Sequence, residues 1–190
     1  MSIKCSTSRD LDRLASDEQL MVAVRHGDLG AFETLVVRHQ ATAWNTAYRF
    51  LGDASEAEDL AQEAFLKIFN AAARYEPTAK FRTYLCRVVS RLCLDHVQKK
   101  KPRYGPDLPE VADGRPSATD LMTLRERERD VRQALDCLPG NQRLVVLLRY
   151  FEGLSYADIA GALETTPKAV ERLLARARAA LERRLTHLIQ

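Results

Sequence analysis

The chain has 190 residues, of which 46% are hydrophobic and 29% are charged, and its formal net charge at pH 7 is +3. This length allows one domain or two small ones, and so small a net charge does not by itself indicate a nucleic-acid-binding protein. No apolar run approaches the roughly 18 residues that span a membrane, and the N-terminus lacks the apolar core of a secretion signal. We therefore expect a cytoplasmic globular protein.

The residues that usually carry catalysis or metal binding form no recognisable pattern. GxxxxGK[ST], GxGxxG and HExxH are all missing from the sequence, and the four histidines have no metal-binding spacing with a cysteine. Cys5, Cys86, Cys93 and Cys137 lack CxxC spacing. Cys86 and Cys93 would lie roughly 10 Å apart along a helix, too far for a disulfide. We predict a binding protein in a reducing compartment, not an enzyme, with no cofactor, no metal and no small-molecule substrate.

Residues 1–15 are polar and predict a mobile tail, after which two helices follow. Ser16 and Gln19 predict a capping box for the first helix, which runs to about His26. The second helix runs from about Leu29 to Phe50 and ends at Gly52. Its predicted inner face carries Phe32, Leu35, Val36, His39, Ala43, Ala47 and Phe50, extended by Trp44 and Tyr48. We interpret His39 on that face as a packed histidine, not as a ligand.

A third helix is predicted to open at Ser55 and Glu58 and to reach about Ala73. Its inward residues would be Leu60, Ala64, Phe65, Ile68 and Phe69. Residues 52–63 contain five acidic side chains and no basic one, a local charge of −5. Acidic residues near a helix start stabilise the helix dipole, and they could equally form a docking face for a basic partner.

Residues 75–78 predict a loop, and a fourth helix follows from about Ala79 to Lys100. Its apolar side carries Phe81, Tyr84, Leu85, Val88, Leu92 and Val97. Between Lys80 and Arg103 there are eight basic residues and one acidic residue, a local charge of +7. Aromatic side chains beside basic ones are what single-stranded bases and phosphates require. The alternative is a solvated basic helix with buried aromatic rings.

Residues 102–127 are acidic and rich in proline and glycine, which predicts a linker between two domains, 16–101 and 128–190. Helical spacing returns over 121–138, and Pro139-Gly140 turns the chain. Asn141 is predicted to cap a helix whose apolar positions are Leu144, Leu147, Leu148 and Phe151. No β-type alternation is evident, so the predicted fold class is all-α: two small helical domains joined by a flexible linker.

Residues 155–185 predict a helix-turn-helix in the second domain. Ser155 and Asp158 form a capping box, and Thr166-Pro167 is a favourable start for the next helix. The apolar stripe of that helix carries Val170, Leu174, Ala177, Leu181 and Leu185, and its other faces are mostly basic. A recognition helix of this kind enters the major groove. Glu164 stands where such turns often carry glycine, and a left-handed conformation there costs roughly 1 kcal/mol.

Several segments together resemble a known family. They are Gly27-Asp28, Ala31-Phe32 and Leu35, then residues 58–65 (EDLAQEAF) and 81–88 (FRTYLCRV), and in the second domain Leu138-Pro139, residues 152–156 (EGLSY), Ile159-Ala160 and 176–178 (RAR). This combination resembles the two conserved domains of bacterial RNA polymerase sigma factors, and the compact length resembles the extracytoplasmic-function (group IV) class of the sigma-70 family. The resemblance covers roughly residues 17–187 apart from the linker.

The resemblance implies that the first domain binds core RNA polymerase and opens the −10 promoter element, while the second domain reads the −35 element. The implied partners are the clamp of the largest polymerase subunit, the flap region, promoter DNA and an anti-sigma factor, often membrane-tethered in this family. Implied polymerase-binding residues are Asp59, Gln62, Glu63 and Phe65. Implied −10 residues are Tyr75, Lys80, Arg82, Tyr84, Arg87 and Arg91. Implied −35 residues are Thr166, Lys168, Ala169, Glu171, Arg172, Ala175, Arg176 and Arg178.

The sequence departs from the family pattern at three points. Tyr84 replaces a common tryptophan, Arg91 replaces a common asparagine, and Glu171-Arg172-Leu173 replaces a basic-Ser-Arg run in the recognition helix. Glu171 could accept a hydrogen bond from a cytosine amine, so an unusual −35 sequence is expected. A stand-alone dimeric helix-turn-helix regulator remains the alternative function. A protein-interaction adaptor would leave Arg172 and Arg176 unexplained.

Overall fold

The computed structural model describes residues 15–100 and 129–186, which contain helices and no strand. The helices are α1 (Asp17–Arg25), α2 (Leu29–Leu51), α3 (Ala54–Ala71), α4 (Phe81–Lys100), α5 (129–136), α6 (Gly140–Tyr150), α7 (Tyr156–Ala162) and α8 (Pro167–Leu185), with a 3₁₀ turn at Ala72–Arg74. The all-α prediction is confirmed. The predicted linker, 102–127, and residues 1–14 of the predicted tail lie outside the described residues. No helix in the described part is long and apolar enough to cross a membrane.

Side chains close in sequence define the starts of the first two helices. Ser16 Oγ accepts from Gln19 N–H while the Gln19 side chain accepts from Ser16 N–H, so the predicted capping box is confirmed. Asp28 Oδ1 caps α2 by accepting from the N–H groups of Gly30 and Ala31. Gly52 ends α2 with φ of 80°, a conformation that glycine adopts without steric cost.

Two predicted helix starts are wrong. Helix α3 begins after Asp53, whose Oδ1 accepts from Glu56 N–H over 2.9 Å, so Ser55 lies inside the helix and is not its cap. Aspartate and serine both cap helices well, and Asp53 is the cap here because it directly follows the Gly52 turn. Helix α6 begins after Pro139 without a side-chain cap, so Asn141 is already its second residue.

The core of the first domain lies where α2, α3 and α4 pack together. Ala43, Ala47 and Phe50 of α2 are buried against Leu60, Ala64 and Ile68 of α3 and against Phe81, Leu85 and Val89 of α4. Phe69 departs from the prediction, because it is 39% exposed and covers Phe32 at the edge, with ring centroids 4.9 Å apart. His39 is packed as predicted: its Nε2 lies 2.7 Å from Asp17 Oδ2 and its ring lies against Phe81.

Helices α7 and α8 form the predicted helix-turn-helix. Ser155 Oγ accepts from Asp158 N–H, and Thr166 Oγ1 caps α8 by accepting from Ala169 N–H. Glu164 in the turn has φ of 51°, the left-handed conformation that glycine would take more easily. Val170, Leu174 and Ala177 form the buried stripe that fixes α8 on α6 and α7.

The two helical groups also contact each other. Arg143 of α6 donates to the carbonyl oxygen of Phe50 over 2.7 Å, across the end of α2. Gly140 is close to the α4 side chain of Leu94, and an added Cβ would stand 3.0 Å from Leu94 Cδ2. Helix α7 lies along α4, so the front of the helix-turn-helix faces the first half of the basic helix.

Candidate nucleic-acid and polymerase interfaces

The outer face of α8 carries a row of side chains able to contact DNA. Lys168, Arg172 and Arg176 are exposed and follow one another at a spacing of four residues, so they lie along one side of the helix. Among the other predicted −35 residues, Thr166, Glu171 and Ala175 are exposed and Ala169 is half-buried. A major groove accepts one such helix, and arginine can donate two hydrogen bonds to a guanine edge.

Arg178 lies apart from that row. Its Nε donates to Tyr150 Oη over 2.9 Å, and its guanidinium carbon lies 5.9 Å from the centre of the Tyr150 ring. Arg178 thereby borders an apolar groove of about 350 Å³ between α8, α5 and α6. The other lining residues are Val131, Leu135, Val146, Tyr150, Phe151, Leu181, Glu182 and Leu185. Phe151, expected in the apolar stripe of α6, is 49% exposed because it forms a wall of this groove.

Helix α4 places its basic residues on a side that meets both solvent and the second domain. Lys80 and Arg91 are exposed. Arg82 is 44% exposed and pairs with Glu152 through Nη2 and Oε2 at 2.9 Å. Arg87 is half-buried and donates through Nε and Nη2 to the carbonyl oxygen of Gly161. The predicted −10 residues are therefore near one another, and two of them already have partners.

Tyr75 and Tyr84 border a small pocket at the start of α4. Their ring centroids are 5.6 Å apart, and the pocket measures about 290 Å³. Tyr75 is only 7% exposed, and its buried hydroxyl has no hydrogen-bond partner among the described residues. Burial raises the pKa of both phenols, so each remains an uncharged donor at neutral pH. The pocket thus combines aromatic side chains with the neighbouring Arg87.

The acidic side of α3 borders a wider groove shared with α2. Asp59, Gln62 and Glu63 are exposed, whereas Phe65 is 7% exposed and forms part of the floor. The groove measures about 910 Å³. Its lining is Phe32, Val36, Gln40, Ala41, Trp44, Asn45, Glu58, Ala61, Gln62, Phe65 and Leu66. An apolar floor with acidic and amide groups on its rim suits a basic amphipathic helix.

Several residues of these surfaces could not be identified from the sequence. Trp44 was assigned to the inner face of α2, but it is half-buried and lines the groove, stacked on Tyr48 with centroids 4.8 Å apart. Leu66 is 61% exposed, which its apolar character did not suggest. Glu152 was read only as a motif residue, yet its side chain is 6% exposed. In the sequence, the only indication that Glu152 is buried is its position as a charged residue between apolar neighbours.

The two cysteines of α4 are unpaired, as their spacing in the sequence predicts. Cys86 and Cys93 are free and fully buried, and burial raises the pKa of each thiol to about 12. Both side chains are therefore uncharged thiols at neutral pH, which makes them poor nucleophiles. Cys137 is free and exposed. Among the described residues, no group of three or more histidine, cysteine or acidic side chains could hold a metal ion.

Comparison with known proteins identifies the family from both halves of the chain. The family described as "Sigma-70 region 2" matches residues 35–103, and the family described as "Sigma-70, region 4" matches residues 128–181. The RNA polymerase sigma-H factor of Pseudomonas aeruginosa is 33% identical over 186 residues, covering 92% of this chain and 96% of that protein. The chain belongs to the extracytoplasmic-function class of the sigma-70 family. It is a sigma factor, which binds core RNA polymerase and directs initiation at particular promoters.

Other relatives agree with this assignment. The ECF RNA polymerase sigma factor SigW of Bacillus subtilis is 32% identical over 177 residues, covering 87% of this chain and 94% of that protein. In fold, the chain is similar to CnrH, solved in complex with the cytosolic domain of CnrY, with a TM-score of 0.71 and 24% identity over 91% of this chain and 99% of that one. The two sequence relatives are sigma factors, which are not enzymes. The match to region 2 decides against a stand-alone dimeric regulator.

Proposed function

We propose that this sigma factor holds core RNA polymerase through the groove between α2 and α3. The support is the combination of apolar and acidic groups: Phe65 and Leu66 line the groove with Glu58 and Gln62. Asp59 and Glu63, the next residues along α3, are exposed. The clamp of the largest polymerase subunit, implied by the family resemblance, would supply a helix with basic and apolar side chains. Opposite charges on the rim would speed association and fix the register.

The start of α4 is the proposed site for the displaced strand of the −10 element. Single-stranded DNA requires cations for its phosphates and aromatic faces for its bases. Lys80, Arg82, Arg87 and Arg91 would supply the cations, and Tyr84 would supply a stacking surface. The pocket of about 290 Å³ beside Tyr75 is large enough for one extruded base, and Tyr75, Tyr84 and Arg87 are among the residues that line it.

The outer row of α8 is the proposed reader of the −35 element. Thr166, Lys168, Ala169, Arg172, Ala175 and Arg176 would face the major groove. Glu171 and Arg178 lie on the flank of this row, where Glu171 can accept from a cytosine amine. The apolar groove beside Arg178 is the proposed site for the flap region of polymerase, because its lining is almost entirely apolar.

We further propose that an anti-sigma factor controls this protein. A neighbour in fold, the sigma factor RpoE of Bartonella quintana, was solved in complex with the anti-sigma factor NepR, and CnrH was solved in complex with the cytosolic domain of CnrY. An inhibitor that covers the α2–α3 groove and the α8 groove would compete directly with polymerase. Tethering of that inhibitor to a membrane, and action of the sigma factor itself in the cytoplasm, are parts of this proposal.

Reconstitution with core RNA polymerase tests the residue assignments. Core enzyme and the full chain should together give specific transcripts from a promoter library, whereas the chain alone should bind duplex DNA weakly. Lys80→Ala should reduce open-complex formation, read by permanganate reactivity of unpaired thymines, without reducing affinity for core enzyme. A chain that neither binds core enzyme nor stimulates any promoter would contradict the proposal.

A further inference from the structure

The loop between the 3₁₀ turn and α4 forms one side of the pocket proposed for an extruded −10 base. Residues 76–80 of this loop are exposed, whereas Tyr75 before them and Phe81 after them are buried. From this segment, the residues that line the pocket are Tyr75, Glu76, Thr78 and Ala79. The width of the pocket therefore depends on the path of the loop between its two buried ends.

Hydrogen bonds inside the loop fix only part of that path. Thr78 N–H donates to the carbonyl oxygen of Glu76 over 2.8 Å, which closes a three-residue turn. The carbonyl oxygen of Lys80 accepts from Thr83 N–H over 2.9 Å and already belongs to the first turn of α4. Six residue steps from one end to the other could extend to about 20 Å. A segment of this length needs supports outside itself to keep one shape.

Helix α1 supplies a support at each end of the loop. Glu18 Oε1 accepts from Phe81 N–H over 2.9 Å, at the first residue of α4. Arg25 Nη1 donates to the carbonyl oxygen of Tyr75 over 3.4 Å, at the residue before the exposed stretch. Glu18 and Arg25 are two helical turns apart, so they project from one side of α1 at points roughly 10 Å apart. The loop therefore arches between supports that are closer together than its own length.

Helix α1 is itself held on the core of the first domain. The side chains that bury its inner face are Leu20, Met21 and Val24. At its start, Asp17 Oδ1 lies 2.8 Å from Arg38 Nη1 and Asp17 Oδ2 lies 2.7 Å from His39 Nε2, both on α2. Because burial and these polar contacts fix α1 on α2, the positions of Glu18 and Arg25 are set before DNA binds.

The contacts of Glu18 and Arg25 are with the ends of the loop, outside the pocket itself. The lining of the pocket includes neither residue. Glu18 is half-buried, and its carboxylate would repel a DNA phosphate, so it is unsuited to bind the strand directly. Arg25 is exposed, and a direct phosphate contact is its alternative role. The two roles of Arg25 predict different results and can be separated by experiment.

We propose that α1 fixes the shape of the strand pocket, with Glu18 and Arg25 as positioning residues for recognition of a base in the −10 element. Through backbone groups of Phe81 and Tyr75, they hold the loop where it and Tyr84 can enclose one base. A loop that is already ordered avoids the entropy cost of ordering when the strand arrives. This role rests on the proposed −10 site and adds determinants of base preference that lie outside the strand-binding residues.

Base discrimination by the assembled holoenzyme tests this role. The full chain is combined with core polymerase and with a promoter selected from the library, and each −10 position is varied one base at a time. The rate of open-complex formation is read by permanganate reactivity. Discrimination is the ratio of rates for the most and the least favoured base at the most selective −10 position. Since a mismatched base pair typically weakens binding roughly 5- to 150-fold, this ratio has enough range to reveal a loss.

The Glu18 variants test the support at the start of α4. Glu18→Ala should lower the ratio about threefold or more, the effect of losing one ordinary hydrogen bond. Glu18→Gln keeps an acceptor for Phe81 N–H and should restore most of the loss. Asp28→Ala is the matched control, because it also removes a helix cap, that of α2, but leaves both loop contacts in place. An unchanged ratio in Glu18→Ala, or an equal fall in Asp28→Ala, would overturn the proposal.

Arg25→Ala tests the other support and decides the proposal if Glu18→Ala does not fold. As a positioning residue, Arg25 should affect discrimination at the same base, without changing how holoenzyme affinity for the promoter depends on salt. A direct phosphate contact would instead weaken all −10 variants equally and reduce the slope of log affinity against log salt by about 1. A uniform loss of affinity with a reduced slope would therefore refute the positioning role of Arg25.

Tyr84→Ala separates failure of this inference from failure of the proposed function, because Tyr84 lines the pocket itself. If Tyr84→Ala lowers the discrimination ratio while Glu18→Ala and Arg25→Ala leave it unchanged, only the positioning role of α1 is refuted. If Tyr84→Ala leaves the ratio unchanged, the proposed −10 site is wrong, and the role of α1 in shaping it is refuted with it.

Discussion

At the residue scale, a distant carboxylate caps the basic helix. Glu18 of α1 accepts a hydrogen bond from Phe81 N–H at the first position of α4, over 2.9 Å. The first N–H groups of a helix have no partner within the helix. This hydrogen bond is the largest influence on Glu18, and it holds the pKa of the carboxyl below its ordinary value. Glu18 therefore ties the start of α4, the proposed strand-binding end, to α1.

Replacing Glu18 should destabilise the first domain. Glu18→Ala removes the acceptor and should lower the free energy of unfolding by about 1 kcal/mol, the usual effect of losing a helix cap. Glu18→Gln keeps an acceptor and should cost less. Urea unfolding of both variants measures the difference. Equal stability of the Ala variant and the parent would show that the cap contributes nothing.

The difference in unfolding free energy between the parent and Glu18→Gln should change with pH in a defined direction. A lowered folded-state pKa adds stability that is complete above the ordinary glutamate pKa and is lost as the pH falls through the lowered value. The advantage of the parent over Glu18→Gln should therefore be constant from about pH 6 to pH 8 and shrink below about pH 4. An advantage that grows on acidification would contradict the assignment.

Residue-level features were predictable where both partners are close in the sequence. The caps at Ser16, Ser155 and Thr166 each need residues only three positions apart, and all three are confirmed. Ser55 failed because Asp53 stood two positions earlier as a competing cap. The pairing of Arg82 with Glu152 joins residues 70 positions apart, so no local rule could reveal it.

At the element scale, two turns each contain one residue in the left-handed conformation, a glutamate in one turn and a glycine in the other. Glu164 has φ of 51° and Gly153 has φ of 65°. Glu164→Gly should raise the free energy of unfolding by up to about 1 kcal/mol, because glycine removes the steric cost of this conformation. Gly153→Ala, where an added Cβ meets no atom within 4 Å, should lower it by about 1 kcal/mol through backbone strain alone. Thermal unfolding of both variants provides the comparison, and a stabilised Gly153→Ala protein would refute the argument.

A substitution in the recognition helix α8 should weaken DNA recognition without weakening polymerase binding. Arg176→Ala removes an exposed guanidinium from the outer row of α8 and should reduce −35-dependent transcription roughly tenfold, within the 1–3 kcal/mol of a good base contact. Affinity for core enzyme should not change. Arg184→Ala, exposed near the end of the same helix, is the matched control and should have a small effect. Equal loss of transcription and core affinity in Arg176→Ala would refute this assignment.

At the scale of the whole molecule, the sequence predicted the all-α class and most helices, but not which helix faces remain uncovered. Trp44 follows the apolar periodicity of α2 and was predicted to lie on its inner face, yet it lines the α2–α3 groove together with Leu66, which lies outside the predicted inner face of α3. Periodicity reports that a face is apolar. It cannot report whether the chain itself or another protein covers that face. The groove becomes visible only once α2 and α3 are packed.

Whether an exposed apolar side chain lines the groove predicts how its replacement changes the affinity for core polymerase. Leu66 is 61% exposed and lines the groove, whereas Val37 is 65% exposed on α2 and does not. If core polymerase covers the groove, Leu66→Ala should weaken core binding by about 1–2 kcal/mol, roughly 5- to 30-fold, since a buried leucine contributes on this scale. Val37→Ala should change core affinity little. Because both side chains are largely exposed in the free chain, neither substitution should lower the melting temperature appreciably. Titration of labelled protein with core enzyme measures the affinities, and equal affinities of the two variants would exclude this groove as the polymerase site.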